Sequence, residues 1–497
     1  MKTPHVIVIG AGIGGLVAAL DLARRGLSVS VYERSDQAGG KMREIDVGGH
    51  RIDSGPTVFT LPWIFESLFA DAGTKLSDHL SIRPAERLAR HAWQTGGRLD
   101  LFADPDRSEV AIRELAGPDE ARRFRAFSSH AGQVFETLYD PYIRNQHPSP
   151  WSLIAASGWR GLMDLWRIHP FESLWHRLGK YFHDPRLRGL FARYATYCGS
   201  SPLQAPATLM LIAHVEQLGV WQIDGGMHRL ARALTDLICE RGGSVNLDAG
   251  VEEIEIRSGR ATGVRLESGE RLAADIVIAN TDVSSLQSKK LGSAAATALP
   301  RRRPGTRSLS AVTWSMLAET SGFELSHHNV FFPEDYPREF TEIFKQQRIP
   351  TQPAVYLCAQ DRTPGSTPPK GPERLFLIAN APANGDHFDF DSATCSRLES
   401  AVFGLLDDCG LEINGSPEHH NITTPADFEA KFPGTGGALY GSASHGWRSS
   451  FARSTARSRT RGLYLAGGSV HPGPGVPMVA ISGRLAAQTI ADDLGLT

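Results

Sequence analysis

The sequence predicts an α/β fold built on a parallel sheet, and two stretches carry that prediction. Near the N-terminus, a short apolar run rich in β-branched residues at 5–9 enters a glycine-rich turn, a helix at 16–25 and a second strand at 27–32. Near the C-terminus, a strand at 463–466 enters paired glycines and is followed by a helix from about 479 to 494. Both stretches predict a strand whose carboxyl end opens into a binding turn.

The N-terminal turn, GAGIGG, has the spacing that a dinucleotide phosphate site requires. Gly10 allows the tight turn out of the strand, Gly12 lets the backbone approach a pyrophosphate, and Gly15 lets the helix pack close on the sheet. The helix N-terminus then offers N–H groups to the phosphates. Glu33 ends the second strand, 18 residues beyond Gly15, where an acidic side chain accepts from ribose hydroxyls. The alternative, a purely structural glycine turn, is weaker because all five features occur in order.

Composition sets broad limits on the protein class. The 497 residues are too many for one simple core, so two or three domains are expected. A hydrophobic content of 41% and a charged content of 21% are typical of soluble globular chains. The net charge of −2 gives no electrostatic reason to expect a nucleic-acid partner.

The cysteines and the N-terminus indicate a reducing compartment. The five cysteines are scattered and contain no CxxC pair, which argues against disulfides and against a zinc site. The first strand begins at His5, so we expect no signal peptide. No run approaches the roughly 18 apolar residues of a membrane span. These observations predict a cytoplasmic protein without a bound metal.

The remaining pattern predicts three discontinuous units. The dinucleotide-binding domain comprises residues 1–75, 215–295 and 445–497, since strands and glycine turns recur there. A substrate domain comprises 76–103 and 296–444, and a helical subdomain comprises 104–214. The individual elements predicted within these units are helices at 109–115, 120–138, 228–241 and 396–409 and strands at 245–247, 251–256, 275–280, 309–317, 354–357 and 375–378. A Gly-Gly-Met turn at 225–227 precedes the helix at 228–241, and a proline-rich surface loop is expected at 363–372.

The stretch 147–193 combines tryptophan and arginine to an unusual degree. It contains Trp151, Trp159, Trp166 and Trp175, with several arginines between and after them. Such a mixture on helices suits a surface that lies in a membrane interface. Amphipathic helices also build ordinary cores, so a helical subdomain with its aromatics facing inward is an equal alternative.

The residues after Glu33 point to one class of dinucleotide. The segment ERSDQAGGK resembles the ERxxxxGGK/R extension of the flavin oxidoreductases that include amine oxidases and carotenoid desaturases. Nicotinamide dehydrogenases do not usually carry it, so the resemblance implies FAD. The paired glycines permit close backbone approach, and Arg34 or Lys41 has the charge to meet a phosphate.

The C-terminal segment narrows the resemblance. LYLAGGSVHPGPGVPM is similar to the signature of bacterial carotenoid desaturases of the phytoene desaturase type. Its GGSVHPGPGVPM variant most resembles the hydroxyneurosporene (methoxyneurosporene) desaturase branch, which introduces a 3,4 double bond into 1-hydroxy acyclic carotenoids. The proline at the start of the following helix is well placed, and the positive helix end suits an anionic reduced flavin.

Carried over position by position, the resemblance implies twelve cofactor contacts. They are Gly10, Gly12, Gly15, Glu33, Arg34, Gly40, Lys41, Gly55, Val251, Gly468, Pro477 and Met478. No catalytic acid or base is identified. Asp140 and Arg144 have the spacing of a solvated helix pair, and His471 lies between turn signals that favour a backbone role over proton transfer.

The implied reaction is removal of a hydride from an allylic carbon to the flavin, with a proton lost from the neighbouring carbon. The substrate is an apolar carotenoid reached from the bilayer, so a protein peripherally associated with the inner membrane is expected. The electron acceptor, oxygen or a quinone, is left open. Three enzyme alternatives remain within the flavin class: a phytoene or diapophytoene desaturase, a carotenoid isomerase and an amine oxidase. A prenyl-binding carrier of the GDP-dissociation-inhibitor type is less favoured because the glycine fingerprint is intact.

Overall fold

The computed structural model describes residues 3–149, 167–300, 305–363 and 369–496. The strands are β1 His5–Ile9, β2 Ser28–Tyr32, β3 Glu44–Val47, β4 His50–Asp53, β5 Ile82–Pro84, β6 Arg87–Trp93, β7 Arg98–Phe102, β8 Trp221–Ile223, β9 Ser244–Asn246, β10 Val251–Arg257, β11 Arg260–Leu266, β12 Arg271–Ala273, β13 Ile276–Ala279, β14 Ser310–Gly322, β15 His328–Phe332, β16 Val355–Ala359, β17 Glu373–Ala381, β18 Leu411–Thr423 and β19 Leu463–Leu465.

The α-helices are α1 Ile13–Ala23, α2 Trp63–Asp71, α3 Leu76–His79, α4 Pro105–Ala116, α5 Pro118–Leu138, α6 Leu174–Tyr181, α7 Pro185–Ala192, α8 Leu211–Gln217, α9 His228–Glu240, α10 Val283–Gln287, α11 Ser293–Ala296, α12 Tyr336–Phe344, α13 Ser392–Asp408, α14 Pro425–Lys431, α15 Trp447–Ser450 and α16 Val476–Leu494. A π-helical turn follows α5 at Tyr139–Ile143, and 3₁₀ helices lie at Arg193–Cys198 and Ala207–Met210. Among the described helices, none is both long enough and apolar enough to cross a bilayer.

The first layer is a five-stranded parallel sheet in the order β19-β13-β1-β2-β9. Its strands come from three separate parts of the chain, and the carboxyl ends of β1, β13 and β19 lie side by side. Helices α1, α9 and α16 pack on one face through a core that includes Leu16, Leu234 and Ile490. Both glycine-rich turns therefore open at the same edge of one sheet.

The second layer is a seven-stranded mixed sheet in the order β18-β14-β17-β16-β15-β6-β7. Only the β15–β6 pair is parallel among these described strands. Strands at 87–102 thus share a sheet with strands beyond 309. The domain boundaries of the sequence analysis remain predictions.

Helices α4 and α5 begin at Pro105 and Pro118, before the predicted positions 109 and 120, because a proline starts each helix. Asp104 caps α4 by accepting from the backbone N–H of Asp106 at 2.8 Å, with Pro105 in the first turn. One face of α5 supplies Phe124, Phe127 and Val134 to the core. The charged face carries ion pairs in the first turns.

The described aromatic residues of the stretch 147–193 differ in how far they are buried. Trp151, Trp159 and Trp166 lie outside the described residues. Trp175 is half-buried, and the Arg188 guanidinium lies over its ring at 3.9 Å. Phe182 and Phe191 are fully buried, whereas Phe171 is 67% exposed. The described aromatics therefore build a core, with one exception at the surface.

Candidate functional site

A cavity of about 1460 Å³ runs from the carboxyl edge of the parallel sheet to the mixed sheet. Eleven of the twelve predicted cofactor residues line it. They are Gly10, Gly12, Glu33, Arg34, Gly40, Lys41, Gly55, Val251, Gly468, Pro477 and Met478. Gly15 does not line the cavity and lies beneath the turn instead. The structure thus brings together segments that lie hundreds of residues apart.

The glycine turn is built as the sequence predicts, with one additional side chain. Gly10 has a φ of +92°, and its carbonyl accepts from Nδ2 of Asn280 at 3.1 Å. A Cβ on Gly15 would lie 2.4 Å from the Gly10 carbonyl oxygen, and a Cβ on Gly12 would lie 2.9 Å from Asn280 Nδ2. The turn has no room for side chains, so its backbone N–H groups form an open cradle.

Glu33 closes one side of this cradle. Its carboxylate oxygens accept from the backbone N–H groups of Ala11 at 2.8 Å and Ser35 at 2.9 Å. The carboxylate still has lone pairs for ribose hydroxyls, because each oxygen accepts more than one hydrogen bond. Ala249 N–H donates to the Glu33 carbonyl at 2.7 Å, which places the start of β10, at Val251, beside the same pocket.

The Gly39-Gly40 segment crosses the glycine turn at 10–15 in close backbone contact. Gly39 N–H donates to the Ala11 carbonyl at 2.8 Å, and a Cβ on Gly40 would lie 3.1 Å from Gly12 Cα. A Cβ on Gly55 would lie 2.0 Å from the Lys41 carbonyl oxygen. These contacts explain the paired glycines by backbone crossing as well as by ligand approach.

The two basic residues of this segment face different surroundings. Arg34 is half-exposed and lies 3.8 Å from Glu267 Oε1. The Lys41 ammonium donates to the Leu439 carbonyl at 2.6 Å. Burial lowers the pKa of Lys41, against the opposing charge of Asp282. Contact of either residue with a phosphate stays a prediction.

The C-terminal signature completes the opposite wall. Helix α16 begins at Val476, three residues before the predicted start, because Gly475 at φ +106° ends the loop and Pro477 occupies the first turn. Its N-terminal residues border the cavity and give it a positive field. The Arg453 guanidinium donates to the Gly468 carbonyl at 3.2 Å. The two long helices α1 and α16 thus present their N-termini to one cavity.

These features fit a dinucleotide carrying a second ring system. One end supplies the glycine cradle and Glu33, and the other end supplies Gly55, Gly468 and the start of α16.

Sequence comparison then identifies the protein family. The model for the family described as "Flavin containing amine oxidoreductase" matches residues 13–491. The chain belongs to this family. Its cofactor is FAD.

Curated relatives over the full length specify the branch. The chain is 51% identical to the "Hydroxyneurosporene desaturase" of Rubrivivax gelatinosus, over 100% of this chain and 95% of the relative. It is 41% identical to the protein of the same name from Cereibacter sphaeroides, over 99% and 98% of the two chains. It is 33% identical to the "4,4'-diapolycopene oxygenase" of Methylomonas sp., over 99% and 98%. The resemblance to carotenoid desaturases is therefore confirmed.

Solved structures support the flavin oxidoreductase fold. Putrescine oxidase bound to putrescine aligns with a TM-score of 0.63 at 16% identity, over 99% of each chain. An oxidoreductase from Methanosarcina mazei aligns with a TM-score of 0.59 at 18% identity, over 98% of this chain and 100% of that one. At these identities the likeness concerns the fold alone.

Beyond the flavin pocket, the desaturase cavity carries polar groups that the sequence analysis missed. Glu216 accepts from the hydroxyls of Tyr194 at 2.7 Å and Tyr197 at 2.6 Å. Arg193 Nη2 donates to the Tyr197 hydroxyl at 3.1 Å. A polar residue within an aromatic run is a weak signal, and nothing in the sequence pairs 193–197 with 216.

A second polar chain crosses the wall from the flavin side. The Thr57 hydroxyl lies 2.5 Å from the Tyr356 hydroxyl, which lies 2.7 Å from His328 Nδ1. Burial lowers the pKa of His328 far below its ordinary value, with the charges of His327 and Arg193 acting in the same direction. His328 is therefore a neutral imidazole at physiological pH.

Asp53 is a further residue that sequence reasoning passed over. Its carboxylate accepts from the backbone N–H groups of Met227 at 2.6 Å and His228 at 3.1 Å, at the start of α9. A Cβ on Gly226 would lie 2.3 Å from Asp53 Oδ2. The Gly-Gly-Met turn is thus required by a buried carboxylate, whose pKa burial raises.

The charged pair and the histidine considered from the sequence have ordinary environments. Asp140 and Arg144 are 3.2 Å apart and mostly exposed, which confirms a solvated pair. His471 is buried with its ring edge-on to Tyr142, and burial lowers its pKa to about 4. Its backbone N–H donates to the Ser454 carbonyl at 2.8 Å. A backbone role for His471 therefore agrees with its contacts.

One group of potential metal ligands occurs in the described residues. The ligand atoms of His327, His328 and Cys358 lie within 4.8 Å of one another. Each is already engaged: His327 Nδ1 contacts the Arg362 carbonyl, and Cys358 Sγ lies 3.5 Å from His327 Nε2. Burial raises the pKa of Cys358, which opposes the thiolate that a metal needs. The absence of a metal stays a prediction.

Proposed function

We propose that this protein is an FAD-dependent carotenoid desaturase that introduces a 3,4 double bond into a 1-hydroxy acyclic carotenoid such as 1-hydroxyneurosporene. The observation that carries the proposal is the full-length 51% identity to a protein named for that activity. The cavity supports it, since one space of about 1460 Å³ joins the glycine cradle to an apolar wall.

The wall beyond the flavin pocket suits a hydrocarbon chain. It is lined by apolar side chains from the helical region and from the mixed sheet. They include Leu138, Ile168, Leu209, Ile212, Val215 and Ile378. Such a wall excludes water and holds a polyene by burial of its apolar surface.

FAD, when bound, supplies the hydride acceptor for the dehydrogenation. The chain's own task is to hold the saturated carbons of the substrate at the flavin and to keep the site dry. Glu216 is not a ready base, because both of its oxygens accept from phenols. Proton loss needs only a weak acceptor, because hydride removal beside a polyene leaves a delocalised cation with an acidic neighbouring C–H bond.

We further propose that the substrate enters from a membrane surface through the mouth at Phe171 and Trp447. Both side chains line the cavity, their rings meet edge to face at 5.4 Å, and Phe171 is 67% exposed. An exposed aromatic at the rim of an apolar cavity suits a peripheral protein of the inner membrane. Phe388, 37% exposed and outside the cavity, offers a matched control.

The membrane proposal is tested by flotation with liposomes. Burial of one Phe side chain contributes about 1.5–3 kcal/mol, so Phe171→Ser weakens partitioning by about tenfold or more. Phe388→Ser leaves partitioning unchanged. Equal effects of the two substitutions would contradict entry at this mouth.

The activity is tested by anaerobic incubation of FAD-loaded protein in liposomes containing 1-hydroxyneurosporene. We expect flavin bleaching together with a red shift of the polyene bands. Phytoene as the better substrate would keep the family and reject the 3,4-desaturase. Spectral change without net flavin reduction indicates an isomerase, and binding without either change indicates a carrier. Reoxidation in air or by a quinone then identifies the electron acceptor.

A further inference from the structure

A charged side chain lies in the part of the cavity that is otherwise built for a hydrocarbon. Arg193 begins the 3₁₀ helix Arg193–Cys198 and lines the cavity. The only hydrogen bond from its guanidinium to a described residue is the one from Nη2 to the Tyr197 hydroxyl. Its Nε atom is buried without a partner among the described residues. A guanidinium has five N–H donors, so most of them are not used by the protein.

The surroundings keep this arginine charged. The Tyr197 hydroxyl accepts from Arg193 and donates to Glu216, whose side chain is 5% exposed. Burial acts to lower the pKa of Arg193, but the electrostatic interactions with the surrounding phenol groups, Tyr197 first, and with the Glu216 carboxylate outweigh it, and the pKa is raised. The arginine and the carboxylate balance each other. The protein therefore keeps a cation with unused N–H donors in the wall of the cavity, which is costly unless a ligand uses them.

The arginine is also close to the flavin end of the cavity. Cys198, at the other end of the 3₁₀ helix, lies near Arg453, which donates to the Gly468 carbonyl. A 3₁₀ helix rises about 2 Å per residue, so the backbone of Arg193 is about 10 Å from that of Cys198. In a 1-hydroxy carotenoid, the hydroxyl-bearing carbon is two carbons from C3. Binding of the C1 oxygen at Arg193 therefore requires the 3,4 bond to lie in the same part of the cavity, which Arg193 and Gly468 both line.

We propose that Arg193 donates a hydrogen bond to the C1 oxygen of the substrate and thereby selects 1-hydroxy carotenoids over hydrocarbons of the same length. This inference rests on the proposed function. Tyr197 and Glu216 are positioning residues, because Tyr197 accepts from the guanidinium and Glu216 holds Tyr197 in place. A hydrocarbon end group would leave the buried donors unpaired, which is the strongest form of discrimination that a binding site has.

The Thr57–Tyr356–His328 chain is the rival for this role. Its hydroxyls already pair with one another, at 2.5 Å, and with His328, at 2.7 Å. It therefore presents fewer unused donors than Arg193. Because arginine donates and does not accept, the proposal also predicts that a C1 methyl ether binds in place of the hydroxyl.

The test compares wild type, Arg193→Met, Arg193→Lys, Tyr197→Phe and Thr57→Val, each loaded with FAD. Substrates are 1-hydroxyneurosporene, 1-methoxyneurosporene and neurosporene in liposomes, and the readout is the rate of anaerobic flavin reduction against substrate content. The wild type prefers 1-hydroxyneurosporene to neurosporene. A hydrogen bond to a charged group is worth enough that Arg193→Met lowers this preference about 10- to 100-fold, while Thr57→Val keeps it.

Two milder variants, Arg193→Lys and Tyr197→Phe, distinguish a specific effect from loss of folding. Arg193→Lys restores part of the preference, and Tyr197→Phe lowers it less than Arg193→Met, with bound FAD absorbance confirming an intact site in each. The methoxy substrate follows the hydroxy substrate in the wild type.

Three results would overturn the proposal. If Arg193→Met lowers the rate of flavin reduction by the same factor with all three substrates, Arg193 has a structural role and does not select the substrate. Thr57→Val, and not Arg193→Met, erasing the preference would assign the oxygen to the other chain. If the wild type shows no preference for 1-hydroxyneurosporene over neurosporene, there is no selection for Arg193 to explain. If no carotenoid reduces the wild-type flavin, the proposed function itself fails, which is a distinct outcome.

Discussion

Gly483 controls how closely the two cofactor-facing helices approach each other. It lies within α16, where a Cβ would stand 2.4 Å from the Gly14 carbonyl oxygen of α1 and 3.0 Å from Val17 Cβ. Ordinary van der Waals contact begins at 3.4 Å, so Gly483→Ala has to move the helices about 1 Å apart. We expect overpacking of this kind to cost about 1–3 kcal/mol.

Gly404 provides the matched control. It lies within the α13 helix, where a Cβ would have no neighbour within 4 Å among the described residues outside its own helix backbone. Both Gly→Ala changes gain about 1 kcal/mol of helix propensity. Gly404→Ala therefore raises the free energy of unfolding. The free energy of unfolding of Gly483→Ala is about 1–3 kcal/mol lower than that of Gly404→Ala.

The same displacement acts on the cofactor. Gly12 at the start of α1 and Pro477 at the start of α16 both line the cavity, so moving one helix by about 1 Å widens the pocket at both ends. We expect Gly483→Ala to weaken FAD binding by about tenfold or more and Gly404→Ala to leave it unchanged. Urea denaturation followed by far-UV circular dichroism, and titration with FAD followed by its fluorescence, measure the two effects. A Gly483→Ala protein as stable as Gly404→Ala, with the FAD affinity of the wild type, would refute the reasoning.

Two further substitutions test the pocket and the mixed sheet. Glu33→Ala leaves the N–H groups of Ala11 and Ser35 unpaired, so we expect FAD affinity to fall about 10- to 100-fold in the same fluorescence titration, and an unchanged affinity would contradict the role of Glu33. Burial raises the pKa of Glu339 from 4.5 to about 7. Between these values the unfolded chain ionises this group while the folded chain keeps it protonated, so stability falls as pH rises, by up to about 3 kcal/mol. Denaturation midpoints from pH 4 to 8 check this, and Glu339→Gln should flatten the slope; a slope equal to that of the wild type would remove Glu339 as its cause.

The glycine turn of the flavin pocket could be predicted from sequence because its spacing is set within one strand, turn and helix. Gly10, Gly12 and Gly15 follow one strand, and a Cβ on Gly15 would collide with the Gly10 carbonyl five residues earlier. Even so, Asn280, which holds the Gly10 carbonyl, comes from a strand 270 residues away. Only the topology of the parallel sheet brings it there.

The strands of the mixed sheet are harder to predict from sequence for a physical reason. Strand β18 is polar and contains Gly415 and a proline, which are poor strand formers, yet it pairs along most of β14 at the edge of the sheet. Edge strands need no apolar alternation on both faces. The polar groups of the cavity are similarly non-local, since Tyr197, which accepts from Arg193, reaches Glu216 only after the 3₁₀ helix Arg193–Cys198 and α8 have packed.

The arrangement of polar groups separates substrate choice from chemistry. The carboxylate in the apolar wall, Glu216, is occupied by Tyr194 and Tyr197, and the imidazole of His328 is neutral and engaged by Tyr356. Neither is a strong base directed at the substrate, and the cation formed beside a polyene does not need one. Arg193, by contrast, has unused donors. Changes to this wall should therefore alter which carotenoid is oxidised more than how fast a correctly placed one reacts.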